Sequence, residues 1–148
     1  MASAAAVAER FRQLSGNTLT PLQLLKLVYI AHGWSFPLRN QGLIDESVEA
    51  WQYGPVIPSL YHSLKRFRAS PVNEPIDAWP PRPLNPDEQA LIDQVYKVYG
   101  KYSGGQLSAM THREGTPWAH AYNGSRNSRI TDKMVEDHYR RLHTERNG

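Results

Sequence analysis

Six histidines are the residues of this sequence that could most readily hold a metal ion. His112 and His120 lie eight residues apart and His138 and His143 lie five apart, so neither pair has the spacing of an HExxH helix. A zinc site needs three or four converging ligands, and the chain has no cysteine to supplement the histidines. Scattered histidines are more often surface or capping residues, so the sequence predicts no metal site.

Residues that could act as nucleophiles or general acids are not arranged for catalysis either. Ser103 is followed by two glycines, a pattern typical of a helix entry, and neither a GxSxG elbow nor a glycine-rich phosphate loop is present. The neighbouring carboxylates Asp87 and Glu88 stand where a helix begins, which accounts for both as capping residues. We therefore expect no catalytic residues, no cofactor and no enzymatic activity.

Aromatic residues are the more informative side chains, with four tryptophans and eight tyrosines in the chain. Most such rings fill a core, as expected for Tyr96, Tyr99 and Tyr139 at helical spacing. Trp79, in contrast, lies in a proline-rich stretch and is expected to be partly exposed. Because Trp and Tyr are favoured anchors of protein interfaces, some of these rings are candidates for contact with a protein partner.

Length, charge and hydropathy indicate a single-domain cytoplasmic protein of 148 residues. The net charge is +3 and the pI is near 9.3, but basic and acidic residues are interleaved. Such mixing is typical of a solvated face, so we expect no specific nucleic-acid binding. The N-terminus lacks the basic start of a signal peptide, and no window approaches the ~20 apolar residues of a membrane span. The absence of cysteine fits a reducing compartment.

Helix starts and apolar periodicity predict a mainly helical chain. A capping residue followed by proline, or by Gln or Glu three positions later, marks several starts. These starts are at Thr20, Asn85, Ser103 and Thr116, and Thr131 followed by Asp132 is a further predicted start. Apolar residues recur at helical spacing in four segments. They are Val7, Phe11 and Leu14; Ile57, Leu60, Tyr61, Leu64 and Phe67; Leu91, Ile92, Val95, Val98, Tyr99 and Tyr102; and Met134, Val135, His138, Tyr139 and Leu142.

The segment from Leu22 to Ala31 differs because it is apolar on nearly all sides, with Lys26 as its one charge. A helix of this kind is expected at the centre of the fold. Helical patterning is lost over residues 34–55, where residues 47–53 alternate as in one short strand, and over residues 69–83, which carry five prolines. The predicted fold is a compact, single-domain helical bundle over residues 1–148 around a central apolar helix. At most a short strand or hairpin is expected near residues 44–53.

Four stretches of the sequence resemble one known family. They are residues 19–34, 48–61, 107–112 and 116–122. The most specific stretch is EAWQYGPVIPSLY, which begins at Glu49, and it is supported by TH at Thr111 and PW at Pro117. Together they are similar to the Panacea domain of SocA-like antitoxins, long described as phage-associated proteins. The resemblance extends from about Val7 to Tyr139.

The resemblance implies a helical domain that neutralises a partner toxin by direct contact. The toxins paired with this domain are chemically diverse, so the resemblance does not identify the toxin. One family member is described as an adaptor that delivers its toxin to a bacterial protease, so a protease complex is the second partner that the resemblance implies.

Seven residues are candidates for contact with the partner: Glu49, Trp51, Tyr53, Tyr61, Trp79, His112 and Trp118. Glu49, Trp51 and Tyr53 are expected on one side of a strand, because alternate residues share a face. His112 and Trp118 are expected to meet across the turn at residues 115–117. The alternative is that the motif residues define the fold and that the toxin contacts another surface.

Two other functions remain open on the sequence. One is a protease adaptor or general protein-interaction module of phage or prophage origin. The other is a DNA-binding regulator, suggested by the basic pI and by a turn at Gly16 between two helices. The second of those helices offers one lysine and mostly aliphatic side chains, which do not read base edges, so DNA binding is the weaker alternative.

Overall fold

Helices make up most of the chain that the computed structural model describes, which comprises residues 1–79, 81–124 and 128–147. The helices are α1 (Ala4–Ser15), α2 (Pro21–Arg39), α3 (Pro58–Leu64), α4 (Pro86–Tyr99), α5 (Gly104–His112), α6 (Pro117–Ala121) and α7 (Asp132–Asn147). The strands are β1 (Val48–Trp51), β2 (Gly54–Val56) and β3 (Ser128–Ile130). The mainly helical fold class predicted from the sequence is confirmed.

Helix α2 is the centre of the fold, as its uniformly apolar sequence predicts. Every residue from Leu24 to Phe36 is buried, and α2 packs against α1, α4, α5 and α7. The prediction that helical structure is lost from residue 34 is wrong, because α2 continues through Pro37 to Arg39. A proline near the end of a helix removes one backbone hydrogen bond. Burial of the large rings of Trp34 and Phe36 offsets that loss.

The predicted helix starts are confirmed by side-chain caps. Thr20, Asn85 and Ser103 each accept a hydrogen bond from the backbone three residues later, and Gln or Glu at that position reciprocates. Thr116 and Thr131 cap α6 and α7 through their hydroxyls. Helix α1 ends as predicted at Gly16, which has φ +63° and therefore adopts a left-handed conformation. Local sequence therefore fixes most of the helix boundaries.

The strands form one small antiparallel sheet in the order β2-β1-β3. The predicted short strand is β1, which continues through a two-residue turn into β2 and pairs Trp51 with Gly54. β1 also pairs with β3, which the sequence does not predict because three residues are too few to show an alternating pattern. The sheet therefore joins the middle of the chain to the segment that precedes α7.

Residues 69–83 connect α3 to α4 without helix or strand in their described part, as the prolines predict. Two of their apolar side chains, Val72 and Ile76, are nevertheless buried. The Val72 amide donates to the Leu19 carbonyl over 2.8 Å, and the Ile76 amide donates to the Glu9 carboxylate over 2.8 Å. The connection is therefore fixed to the surface of the domain.

His32 lies fully buried where α2, the following loop and α7 meet. Its Nδ1 accepts hydrogen bonds from the amides of Leu43 and Ile44 over 3.1 and 3.3 Å. Nε2 therefore carries the proton and donates to Asp132 Oδ1 over 3.1 Å. Burial lowers the pKa of His32, so the neutral ring joins the three segments.

Candidate functional site

The β1–β2 hairpin is held by side chains from three helices that bind its backbone carbonyls. Lys26 Nζ of α2 donates to the Pro55 carbonyl over 2.7 Å. Ser108 Oγ of α5 donates to the Tyr53 carbonyl, and Trp118 Nε1 of α6 donates to the Trp51 carbonyl. The four stretches that resemble the Panacea domain thus converge on this hairpin. Three of its alternate carbonyls are bound, so its shape is fixed by the domain.

Lys26 is the least expected of these donors, because its side chain is only 1% exposed. Its hydrogen-bond partner is the Pro55 carbonyl, and no carboxylate of the described residues lies within ion-pair distance of Nζ. Burial without an opposite charge lowers the pKa of Lys26 to about 7. The amine is therefore poised between its charged and neutral forms near neutral pH.

Gly54 follows the hairpin turn in a conformation with φ +121°, which L residues rarely adopt. A Cβ at this position would lie 2.9 Å from Lys26 Nζ and 3.5 Å from Thr111 Oγ1. Only glycine therefore allows the hairpin to lie this close to α2 and α5.

Replacing Gly54 by alanine is expected to lower the free energy of unfolding by about 2 kcal/mol, from backbone strain and the contact with Nζ. Gly115→Ala is the matched control, because Gly115 has φ +85° but nothing within 4 Å of its Cβ position. The control should lose only about 1 kcal/mol of conformational strain. Equal losses in urea unfolding would show that close packing at Gly54 contributes nothing.

On its outer side the hairpin borders a groove of about 340 Å³. The groove is lined mainly by apolar and aromatic side chains, which include Leu22, Leu25, Trp51, Tyr53, Tyr61 and Tyr122. The Trp51 and Tyr61 rings meet edge to face, with centroids 5.0 Å apart. Tyr53 is 68% exposed at the hairpin tip. We call this surface the hairpin groove.

A second aromatic group lies beside Trp118. The rings of His112 and Trp118 meet edge to face at 5.1 Å, and Trp118 stacks on Tyr122 at 4.7 Å. The predicted meeting of His112 and Trp118 is confirmed. Because Trp118 Nε1 binds the hairpin backbone, the His112–Trp118 pair supports the hairpin. Tyr122 lines the hairpin groove.

The structure separates the seven predicted contact residues into three groups. Glu49, Trp51 and Tyr53 belong to the hairpin, with the Tyr61 ring against Trp51. His112 and Trp118 support the hairpin, and Trp79 lies elsewhere, in the proline-rich connection. Trp79 is 87% exposed, as its surroundings predict. The prediction that Tyr53 shares a strand face with Glu49 and Trp51 is wrong, because β1 ends at Trp51 and Tyr53 lies in the turn. Glu49 and Trp51 do share a face, and Trp51 Nε1 donates to Glu49 over 2.8 Å.

Lys26, Ser108 and Tyr122 are site residues that the sequence prediction missed. For Lys26 a signal existed, because a lone charge in a uniformly apolar helix must find a buried partner. Ser108 and Tyr122 gave no such signal, since each is an ordinary residue of a short helix or its end. Their positions depend on tertiary packing.

Within residues 1–79, 81–124 and 128–147, no three His, Cys, Asp or Glu side chains converge as metal ligands would. The helices built from these residues are all too short or too polar to traverse a lipid bilayer.

Comparison with known proteins identifies relatives of this fold and site. The family model described as antitoxin SocA-like, Panacea domain, matches residues 24–119, which include the hairpin and all its helical donors. Antitoxin SocA of Caulobacter vibrioides (strain NA1000 / CB15N) is 31% identical over 140 residues, which cover 82% of this chain and 72% of that relative. No solved structure matches the chain. On the family match and this identity, the chain belongs to the SocA-like antitoxin family and carries its Panacea domain.

Proposed function

We propose that this protein is a cytoplasmic antitoxin that neutralises a protein toxin by binding it directly, without catalysing a reaction. Membership of the SocA-like family supports the antitoxin role. The main support for direct binding is the hairpin groove. Its aromatic side chains are presented on a backbone that three helices hold in place.

A fixed hairpin favours binding because little conformational entropy is lost when a partner docks. Tyr53, Tyr61 and Trp51 are of the residue types that contribute most binding energy in protein interfaces. A stable complex buries about 1,600 Å² in total, so the toxin would also cover surface beyond the groove. The groove is therefore proposed as the centre of the interface.

The test is co-expression with the protein encoded by the adjacent gene. That protein should arrest growth when expressed alone, and this chain should restore growth and co-purify with it. A harmless neighbour, or a neighbour that stays toxic in the presence of this chain, would contradict the proposal.

The substitution Tyr53→Asp tests whether the toxin contacts the hairpin tip. Because Tyr53 is exposed, its side chain can be changed without disturbing the core. We expect at least about tenfold weaker toxin binding in calorimetry, as for an interface anchor. Trp79→Asp is the matched change at the other exposed aromatic residue and should leave the affinity unchanged. The opposite result would move the interface to the proline-rich connection.

The alternative of a helix-turn-helix regulator is disfavoured by the burial of α2. A recognition helix must present its side chains to the major groove of DNA. The helix that follows the Gly16 turn is α2, which is buried from Leu24 to Phe36. Its side chains are therefore not available for reading bases.

A further inference from the structure

A second groove runs between α4 and α7, above the buried helix α2. It consists of two neighbouring cavities of about 220 and 450 Å³ that share Val98, Tyr99 and Arg146. None of its lining residues belongs to the hairpin groove. We call this surface the α4–α7 groove.

The floor of the α4–α7 groove is apolar and partly open to solvent. Val98 belongs to the apolar stripe predicted for α4, but it is 46% exposed. Leu38 of α2 is 44% exposed at the same groove. Trp34 and Tyr99 line the same cavity, with the Trp34 nitrogen donating to the Tyr99 hydroxyl over 3.0 Å. The apolar face of α4 therefore extends beyond what the domain itself covers.

The rim of this groove is basic. Arg113, Arg141 and Arg146 line it, opposed by a single acidic residue, Glu114. Across the described residues, none of these three arginines lies within ion-pair distance of a carboxylate. The Arg146 guanidinium instead lies 4.9 Å from the centre of the Trp34 ring. The rim thus carries positive charge that is not neutralised within the domain.

His138 also lines this groove. Burial, and then the nearby positive charges of Arg141 and Arg113, lower the pKa of His138 to about 4. The ring is therefore neutral at pH 7. The positive charge of the rim comes from its arginines.

We propose that the α4–α7 groove binds an amphipathic helix of a protein partner, whose apolar side chains enter the floor and whose acidic side chains face the arginines. An apolar floor between two helices suits a helix that presents side chains at i, i+3, i+4 and i+7. The rim arginines, which form no ion pair within the described residues, favour carboxylates on the flank of the bound helix. Nucleic acid would use the arginines but would leave the exposed floor of Leu38 and Val98 uncovered. The site is separate from the hairpin groove and does not depend on the proposed antitoxin function.

The test uses a displayed library of helical peptides with randomised apolar and flanking positions, selected on the full chain. The enriched peptides should carry apolar residues at helical spacing and a net negative charge. Their synthetic copies should bind about tenfold more weakly to Arg113→Glu/Arg141→Glu. A comparable loss is expected for Val98→Ser, which leaves the charge unchanged.

The control is Lys65→Glu/Arg129→Glu, which changes the net charge equally at exposed residues outside the groove. It should leave peptide affinity within about twofold, because distant surface charges are screened. Circular dichroism of all variants verifies that they fold.

Three results would overturn the proposal. One is failure to enrich peptides, or enrichment of peptides that bind equally to the Arg113→Glu/Arg141→Glu variant. Another is binding of a short DNA duplex that this variant abolishes, which would assign the rim to nucleic acid. The third is self-association that Val98→Ser abolishes, which would assign the groove to a second copy of the chain.

Discussion

Gly33→Ala is expected to lower the free energy of unfolding by about 3 kcal/mol, although alanine is the better helix former. A Cβ on Gly33 would lie 2.2 Å from Tyr139 Cε2, and its three nearest atoms all belong to that ring. Displacing Tyr139 would disrupt the packing of its ring, which lies edge to face on Trp34 at 5.2 Å and on Tyr29 at 6.3 Å. The glycine therefore sets how closely α7 approaches α2.

A double-mutant cycle isolates this contact. Tyr139→Ala will itself destabilise the protein by about 3 to 5 kcal/mol, because it removes a buried ring. In that background Gly33→Ala should be neutral or stabilising by up to about 1 kcal/mol, since the new methyl group has space. The measurement is guanidinium unfolding of the four proteins. Additive losses would show that the two helices do not meet at Gly33.

The free energy of unfolding is expected to rise by about 2.5 kcal/mol between about pH 7.5 and about pH 9.5, because of Lys26. Burial lowers the pKa of Lys26 from 10.5 to about 7 in the folded protein. Between these values the unfolded chain binds one proton more than the folded chain, so raising the pH favours folding. Below pH 7 both states are protonated and this contribution becomes constant. Above the range, buried Tyr29 and Tyr139 act in the opposite direction, because burial raises their pKa values.

Lys26→Met is the variant that tests this origin of the pH dependence. It keeps a side chain of similar length without an ionisable group, so the rise should disappear. Lys133→Met is the matched control, because Lys133 is a lysine whose side chain is 80% exposed. Urea unfolding across the pH range should give the wild-type slope for the control. A flat wild-type profile, or a Lys26→Met profile that still rises, would contradict the prediction.

Much of the fold can be predicted from the sequence because its signals are local. The capping residues Thr20, Asn85 and Ser103 bond within their own first turn. The central position of α2 follows from an apolar surface on all sides of one helix. These features need no knowledge of what lies across the molecule.

The remaining features depend on contacts between distant segments. Pro37 is tolerated within α2 because large rings beside it are buried. Residues 128–130 form strand β3 because they pair with β1. Val98 follows the same periodicity as its buried neighbours, yet no helix of the described chain covers it. Periodicity shows which face is apolar, whereas the arrangement of other helices decides whether that face is covered.

The candidate site likewise combines features that the sequence predicts with features that depend on tertiary contacts. Its motif residues can be recognised in the sequence, but their roles cannot be separated there. Trp118 and Ser108 bind backbone, whereas Tyr53 presents its ring to solvent. Tyr53 and Trp51 follow the alternation of a strand, and only the position of the turn separates them.

Three helices hold the hairpin through its backbone carbonyls, so this attachment does not depend on the side chains at the hairpin tip. Lys26, Ser108 and Trp118 recognise main-chain oxygens, which every amino acid supplies. The side chains of Gln52 and Tyr53 are exposed and take no part in this attachment. The two positions can therefore be exchanged for other residues while the loop keeps its course. If the tip contacts the toxin as proposed, exchange of these two residues would change the target while the supporting helices stay the same.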